Sequence, residues 1–170
     1  MNVRNMCKEL HRQLTLTLVS HCRFARAILG QQVTVAAART LAGRVAQKFG
    51  EKIDTPFSSL SVTFPSASMI SRRRVASLAQ LGIIRARATS IISLARAVES
   101  DDIVLQAGVD IQTTLSRLLA LPGIGEWTAN YIAMRALRWC NAFLPSDYGV
   151  KKALAVEKPS AATKLGLAWQ

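Results

Sequence analysis

The sequence predicts an all-α fold, a helical bundle, and three observations carry that prediction. Apolar residues recur at three- and four-residue spacings in four separate stretches. Alanines share those stripes, which lets helices approach one another closely. Between the third and fourth stripes lies Leu-Pro-Gly-Ile-Gly, a length that suits only a tight join between two helices.

The elements follow in order. Met1–His21 is basic, with a short apolar stretch at Leu14–Val19, and is set apart as an N-terminal segment without an assigned structure. Residues 22–170 are expected to form one domain. Ala37, Leu41, Val45 and Phe49 put a stripe on the first long helix, closed by Gly50. Residues Glu51–Ser71 are rich in Ser, Thr and Pro. Leu60, Val62 and Phe64 alternate there as a strand would, but one such alternation makes no sheet, so a long connection is expected. Arg72–Arg74 is expected to open another helix. Ile84, Ala88, Ile91, Ala95 and Val98 form the second stripe. Ile111, Leu115, Leu118 and Leu119 form the third, with Asp110 as its N-cap. Ala129, Ile132, Ala133 and Ala136 form the fourth.

Composition narrows the partner. The chain carries 22 Lys+Arg against 10 Asp+Glu, a net charge of +12, which points to a polyanion, nucleic acid first. Arginine outnumbers lysine, which favours bidentate phosphate contacts. A basic protein without such a partner has the same composition. No run approaches the ~20 apolar residues of a membrane span, so a soluble cytoplasmic protein with no membrane partner is expected. Cys7, Cys22 and Cys140 are widely spaced and form no CxxC pair, so they are expected as free thiols. With His11 and His21 outside any HExxH context, no metal-ligand set is expected.

The most informative stretch is LPGIGEWTANYIAMRA, residues 121–136. Gly123 and Gly125 both take positive φ cheaply, stopping one helix and starting the next. Without β-carbons they let a phosphate reach the backbone. The free N–H groups of the following helix then face it with the positive end of the dipole. Leu121, Pro122, Gly123, Ile124, Gly125 and Thr128 are therefore the candidate residues of a helix-hairpin-helix DNA-binding element. A ligand-free turn between packed helices is the structural alternative.

The next signal is FLPSDYGVKK, residues 143–152. Pro145 favours extended backbone at Leu144. Ser146 is the expected N-cap, with Asp147 beginning a helix. The preceding helix, from about Glu126 to Leu137, is roughly 18 Å long. The nine residues Arg138–Ser146 reach up to about 30 Å, so the chain can return alongside it. That brings Asp147 near Trp127 and the hairpin. Asp147 alternatively just complements its own helix dipole.

FARAILGQQVTVAAARTLAGRVAQKFG (24–50), LPGIGEWTANYIAMRA and FLPSDYGVKK together resemble the helix-hairpin-helix superfamily of DNA glycosylases, within it the bacterial 3-methyladenine DNA glycosylase II group. The resemblance implies an all-helical fold, a base flipped out of duplex DNA and hydrolysis of its N-glycosidic bond. It implies Asp147 as the catalytic carboxylate, and Gln31 and Gln32 as the turn that enters the duplex. Lyases of the superfamily carry a lysine where Trp127 stands, so hydrolysis without strand cleavage is implied. No organic cofactor follows from it, and a monovalent cation bridging hairpin carbonyls and phosphate is a family expectation. The chain differs from the long members in lacking their N-terminal α+β domain, and its domain is expected to be incomplete at the C-terminus. The implied setting is a bacterial, nucleoid-associated monomer acting on double-stranded DNA with alkylated bases.

An alkylated purine already carries positive charge, and its departure leaves oxocarbenium-like charge on the sugar. Asp147 would stabilise that charge and orient water. Trp127 and Tyr148 are candidates to stack on a cationic base, with core packing as the alternative for each. Two rivals share the charge and the hairpin: a non-catalytic helix-hairpin-helix DNA-binding module, decayed or truncated, and an RNA-binding protein. The latter leaves the Asp147 spacing without a purpose.

Overall fold

A computed structural model of the chain describes residues 24–56, 61–106 and 108–166. The N-terminal segment 1–21, together with Cys22 and Leu60, lies outside the described residues. The helices are α1 (residues 24–29), α2 (Val35–Phe49), α3 (Ala67–Ser71), α4 (Val75–Ala79), α5 (Arg85–Glu99), α6 (Ile111–Leu119), α7 (Glu126–Ala136), α8 (Tyr148–Ala153) and α9 (Pro159–Gly166). No strand occurs among the described residues, and the expected alternation contributes only a single antiparallel bridge between Lys52 and Val62. No described helix is long and apolar enough to cross a membrane.

One apolar cluster runs from Phe24 to Leu137, and α5 contributes five of its side chains. Ala88, Ile91, Ile92, Leu94 and Ala95 of α5 are all buried, with α3 and α4 packed on the helix. Ile28 and Leu29 of α1, Leu78 of α4 and Leu118 of α6 are wholly enclosed. Burial of each such side chain contributes about 1.5–3 kcal/mol. The α6–α7 pair carries Leu118 against Ala129, Ile132 and Ala133, and those alanines keep the two helices close. Asp110 caps α6 as expected, its carboxylate accepting from the Thr113 N–H at 3.0 Å. That N–H and the Thr113 side chain hold the Asp110 carboxyl below its ordinary pKa.

Three local expectations need correction. Residues 67–71 are helical, because Ser66 caps them by accepting from the Met69 N–H at 3.3 Å, so the long connection ends earlier than the sequence suggests. Arg72–Arg74 joins two short helices, Arg72 as the C-cap of α3 and Arg74 as the N-cap of α4, so the helix it opens starts only at Val75. Arg73 is drawn down there, donating to the Met69 carbonyl and sitting 5.1 Å above the Phe49 ring. Ala37 is exposed, and α2 instead buries Ala42, Val45 and Phe49.

Two glycines of α2 differ in what surrounds them. Gly43 is exposed, with nothing within 4 Å of an added β-carbon. At Gly50 an added β-carbon would collide with the Thr63 and Ala46 carbonyls, where the chain turns back to donate from Thr63 N–H to Glu51 O at 2.9 Å. Gly43→Ala should therefore stabilise the fold by about 0.5–1 kcal/mol through helix propensity. Gly50→Ala should cost about 1–3 kcal/mol. Denaturant melts of the two variants check this, and shifts of the same sign would contradict the packing described.

Candidate nucleic-acid interface

The hairpin between α6 and α7 is built on close approach. Gly123 has φ +73°, the left-handed region that favours glycine, and a β-carbon there would collide with the Ser90 hydroxyl of α5. Gly125 differs from the sequence expectation: its φ is −94° with ψ 178°, an extended conformation open to any residue. It is exposed, has open space where a β-carbon would be, and occupies the N-cap of α7 with no side-chain cap. The first N–H groups of α7 therefore face outward at Gly125, where an anion can meet them. Ile124 is buried and anchors the turn, while Pro122 is exposed and Leu121 half-buried. The Thr128 side chain is 3% exposed and its hydroxyl accepts from the Gln31 amide at 2.7 Å, so it faces the protein interior and leaves the anion to the backbone.

Gln31 and Gln32, paired by the sequence, behave differently. The Gln31 amide nitrogen donates to Thr128 Oγ1 and to the Gly123 carbonyl at 3.1 Å, tying the α1–α2 turn to the hairpin. Gln32 is exposed with φ +52° and forms the free tip. The tie was hidden because it joins residues 92 and 97 positions apart.

Asp147 returns to α7 as the chain lengths allow. Its Oδ2 accepts from the Trp127 indole N–H at 3.0 Å, across 20 residues of sequence. Its Oδ1 accepts from Gly149 N–H at 2.8 Å and Val150 N–H at 3.2 Å. Asp147 is thus the N-cap of α8, the place expected of Ser146, and the helix starts at Tyr148. An aspartate outcompetes serine here because its two oxygens serve the cap and the indole together. Three donors fix the orientation of this half-buried carboxylate.

Trp127 stacks on Tyr131, with ring centroids 5.1 Å apart and planes inclined by 16°. The Arg135 guanidinium lies 5.5 Å from the Tyr131 ring centre. Both rings wall a groove of about 780 Å³ between α7 and the α1–α2 region, which Arg26, Arg39, Arg138 and Trp139 also line. Asp147 is not in that lining and meets its wall through the Trp127 indole. Tyr148, the other base-stacking candidate of the sequence, is 77% exposed and outside the groove, whereas Tyr131 stacks on Trp127 in its wall. The i, i+4 spacing of Trp127 and Tyr131 on one helix is the signal that could have found it. No group of three or more His, Cys, Asp or Glu side chains able to hold a metal occurs among the described residues.

The chain is similar to known proteins in the same segments. A model of the HhH-GPD superfamily of base excision DNA repair proteins matches residues 25–157. The Mycobacterium tuberculosis protein named probable bifunctional transcriptional activator/DNA repair enzyme AlkA is 39% identical over 150 residues, 88% of this chain and 28% of that protein. DNA-3-methyladenine glycosylase 2 of Escherichia coli is 35% identical over 145 residues, 85% of this chain and 51% of that protein. The chain thus spans about half the length of the latter, and less of the former. The solved 3-methyladenine DNA-glycosylase from Archaeoglobus fulgidus superposes with a TM-score of 0.70 at 23% identity, covering 85% of this chain and 51% of that one. The structure of MBOgg1 with a low-affinity DNA ligand superposes with a TM-score of 0.71 at 16% identity, covering 95% and 62%. At these identities the two structures share the fold.

The two hairpin glycines should separate in stability. Gly123→Ala forces a side chain into left-handed backbone and against Ser90, and should cost about 1–3 kcal/mol. Gly125→Ala meets no clash and should cost less, about 0.5–1 kcal/mol, because alanine is a poorer N-cap than glycine. Thermal unfolding measures both, and equal losses would refute the assigned difference.

Proposed function

The chain belongs to the HhH-GPD superfamily of base excision DNA repair proteins, and from that premise we propose that it is a monofunctional DNA glycosylase acting on alkylated purines such as 3-methyladenine. The observation that carries the proposal is the 3.0 Å bond from the Trp127 indole to Asp147. It holds a carboxylate of fixed orientation at the wall of an aromatic groove, beside an exposed helix N-terminus.

In this reading the backbone around Gly125 takes a phosphate of duplex DNA, and Gln32 occupies the space a flipped base leaves. The Trp127–Tyr131 face stacks on the extrahelical base. Arg26, Arg39 and Arg138 on the groove suit the phosphates that travel with the flipped nucleotide. As the glycosidic bond breaks, electrons leave with the base and positive charge develops on the sugar. Asp147 stabilises that charge electrostatically and orients the water that attacks the sugar carbon. Trp127 supplies no amine, so no Schiff base forms and the strand stays intact. The proposed reaction routes no step through a metal or an organic cofactor. The competing reading, a DNA-binding module without catalysis, is favoured by one observation: every hydrogen bond seen at Asp147 also has a structural purpose, as cap and as indole acceptor.

Binding and chemistry are tested separately. Duplex affinity should fall steeply with salt, log K by about 0.9 per unit of log salt for each phosphate contact. Gly125→Val should weaken binding to every sequence alike, because its side chain meets only the bound phosphate. Asp147→Asn keeps an oxygen for the α8 cap, though its amide NH2 can no longer accept from the Trp127 indole, and should retain binding to lesion DNA. Its release of 3-methyladenine should drop about 100-fold or more. Borohydride should trap no protein–DNA adduct. Base release at the parent rate by Asp147→Asn would remove Asp147 from the chemistry. Tight lesion binding with no base release by the parent chain would leave the binding module standing.

A further inference from the structure

The geometry points to Arg87 as a positioning residue that sets the Gln31–Gln32 turn for entry into DNA, acting through Gln32; this rests on the glycosylase reading above. Arg87 stands in the first turn of α5 and is 9% exposed, an unusual place for a guanidinium. One of its terminal nitrogens donates to the Gln31 carbonyl at 2.6 Å. Its Nε is buried with no hydrogen-bond partner. A buried cation with one donor unsatisfied is a costly way to fill space, and an apolar side chain would pack the same volume without that penalty.

What the charge accomplishes is local. The Gln31 carbonyl follows the end of α1, where helix carbonyls concentrate negative potential and a cation is favoured. Arg87 holds that peptide from below. The Gln31 side chain holds it from the hairpin side, through Gly123 O and Thr128 Oγ1. With both faces of residue 31 committed, residue 32 is left at φ +52° with its side chain exposed. Ser90, one helical turn after Arg87, lies beneath Gly123. One face of α5 therefore supports both the phosphate-facing hairpin and the tip, and fixes their relative position. Without Arg87 the tip can relax toward ordinary negative φ and lose its aim, while the hairpin stays on Ser90.

The test uses the full 170-residue chain and a duplex holding a tetrahydrofuran abasic analogue with 2-aminopurine opposite it, so that no catalysis is required. Binding of the parent should change the 2-aminopurine fluorescence as Gln32 enters the stack. Arg87→Met should lose that change and keep the salt dependence and affinity for undamaged duplex. Adding Arg87→Met to Gln32→Ala should produce no further loss, since both act at one step. Arg87→Lys keeps the buried charge about one atom short of the carbonyl; it should recover part of the signal, and it carries the comparison if Arg87→Met folds poorly by circular dichroism. The inference is overturned if Arg87→Met retains the parent signal, or if the two losses add. It is equally overturned if undamaged-duplex affinity falls in step with the signal, or if the parent gives no signal. Failure of the parent to release 3-methyladenine would count against the glycosylase reading alone, because the fluorescence comparison does not depend on it.

Discussion

The hairpin sits on α5 at a distance that only a residue without a side chain permits, and the geometry of the whole candidate interface follows from that contact. Gly123 rests against Ser90, itself 1% exposed and donating to the Ala86 carbonyl. Because α5 also carries much of the buried core, the hairpin turn is referenced to the packed interior of the molecule. From Gly123 the frame extends in two directions. The Gln31 amide carries it to the α1–α2 turn, and α7 carries it to Trp127 and so to Asp147. The hairpin backbone, the Gln31–Gln32 turn and the Asp147 carboxylate thus share one datum.

Two groups of arginines among the described residues are put to different uses, which composition alone merges. Arg44, Arg73, Arg87, Arg96 and Arg117 each donate to a backbone carbonyl, at Leu81, Met69, Gln31, Ser71 and Asp102 respectively. They serve as cross-braces between segments, a use that suits a planar, multi-donor cation. Arg26, Arg39 and Arg138 line the groove. The net charge of +12 therefore reports partly on how the fold is held together. The charge free to meet a polyanion is correspondingly smaller than the total, and Arg26, Arg39 and Arg138 bring part of it to the groove between α7 and the α1–α2 region.

Much of the fold was legible because it rests on local rules. The stripes of α5, α6 and α7, the Asp110 cap and the tight hairpin all follow from periodicity and capping within a few residues. The approach of Asp147 to Trp127 was also legible, since chain length alone bounds how far nine residues can reach. The misreadings at the candidate site share one cause, competition settled by a distant partner, whereas the helix at 67–71 turned on the local Ser66 cap. Asp147 displaced Ser146 as the α8 cap because the indole of Trp127 recruits its second oxygen. Gln31 and Gln32 look equivalent in sequence, and only Thr128 and Gly123, almost 100 residues away, distinguish them. Gly125 and Gly123 look equivalent too, until Ser90 shows which one is under steric demand. Arg87 has no local signal at all, because nothing nearby in the chain announces that it will be buried.

The backbone at residue 32 also limits which side chains evolution can place on the tip. At φ +52° a β-branched residue clashes with its own backbone, so valine, isoleucine and threonine are effectively barred. Glycine fits but presents nothing to the partner. The residues that remain are unbranched at the β-carbon and long enough to reach outward, among them amides, leucine and methionine. Diversification of this tip should therefore favour side chains unbranched at the β-carbon, with asparagine, aspartate and histidine the best tolerated by this backbone. The same left-handed peptide that aims the tip acts as a filter on its descendants.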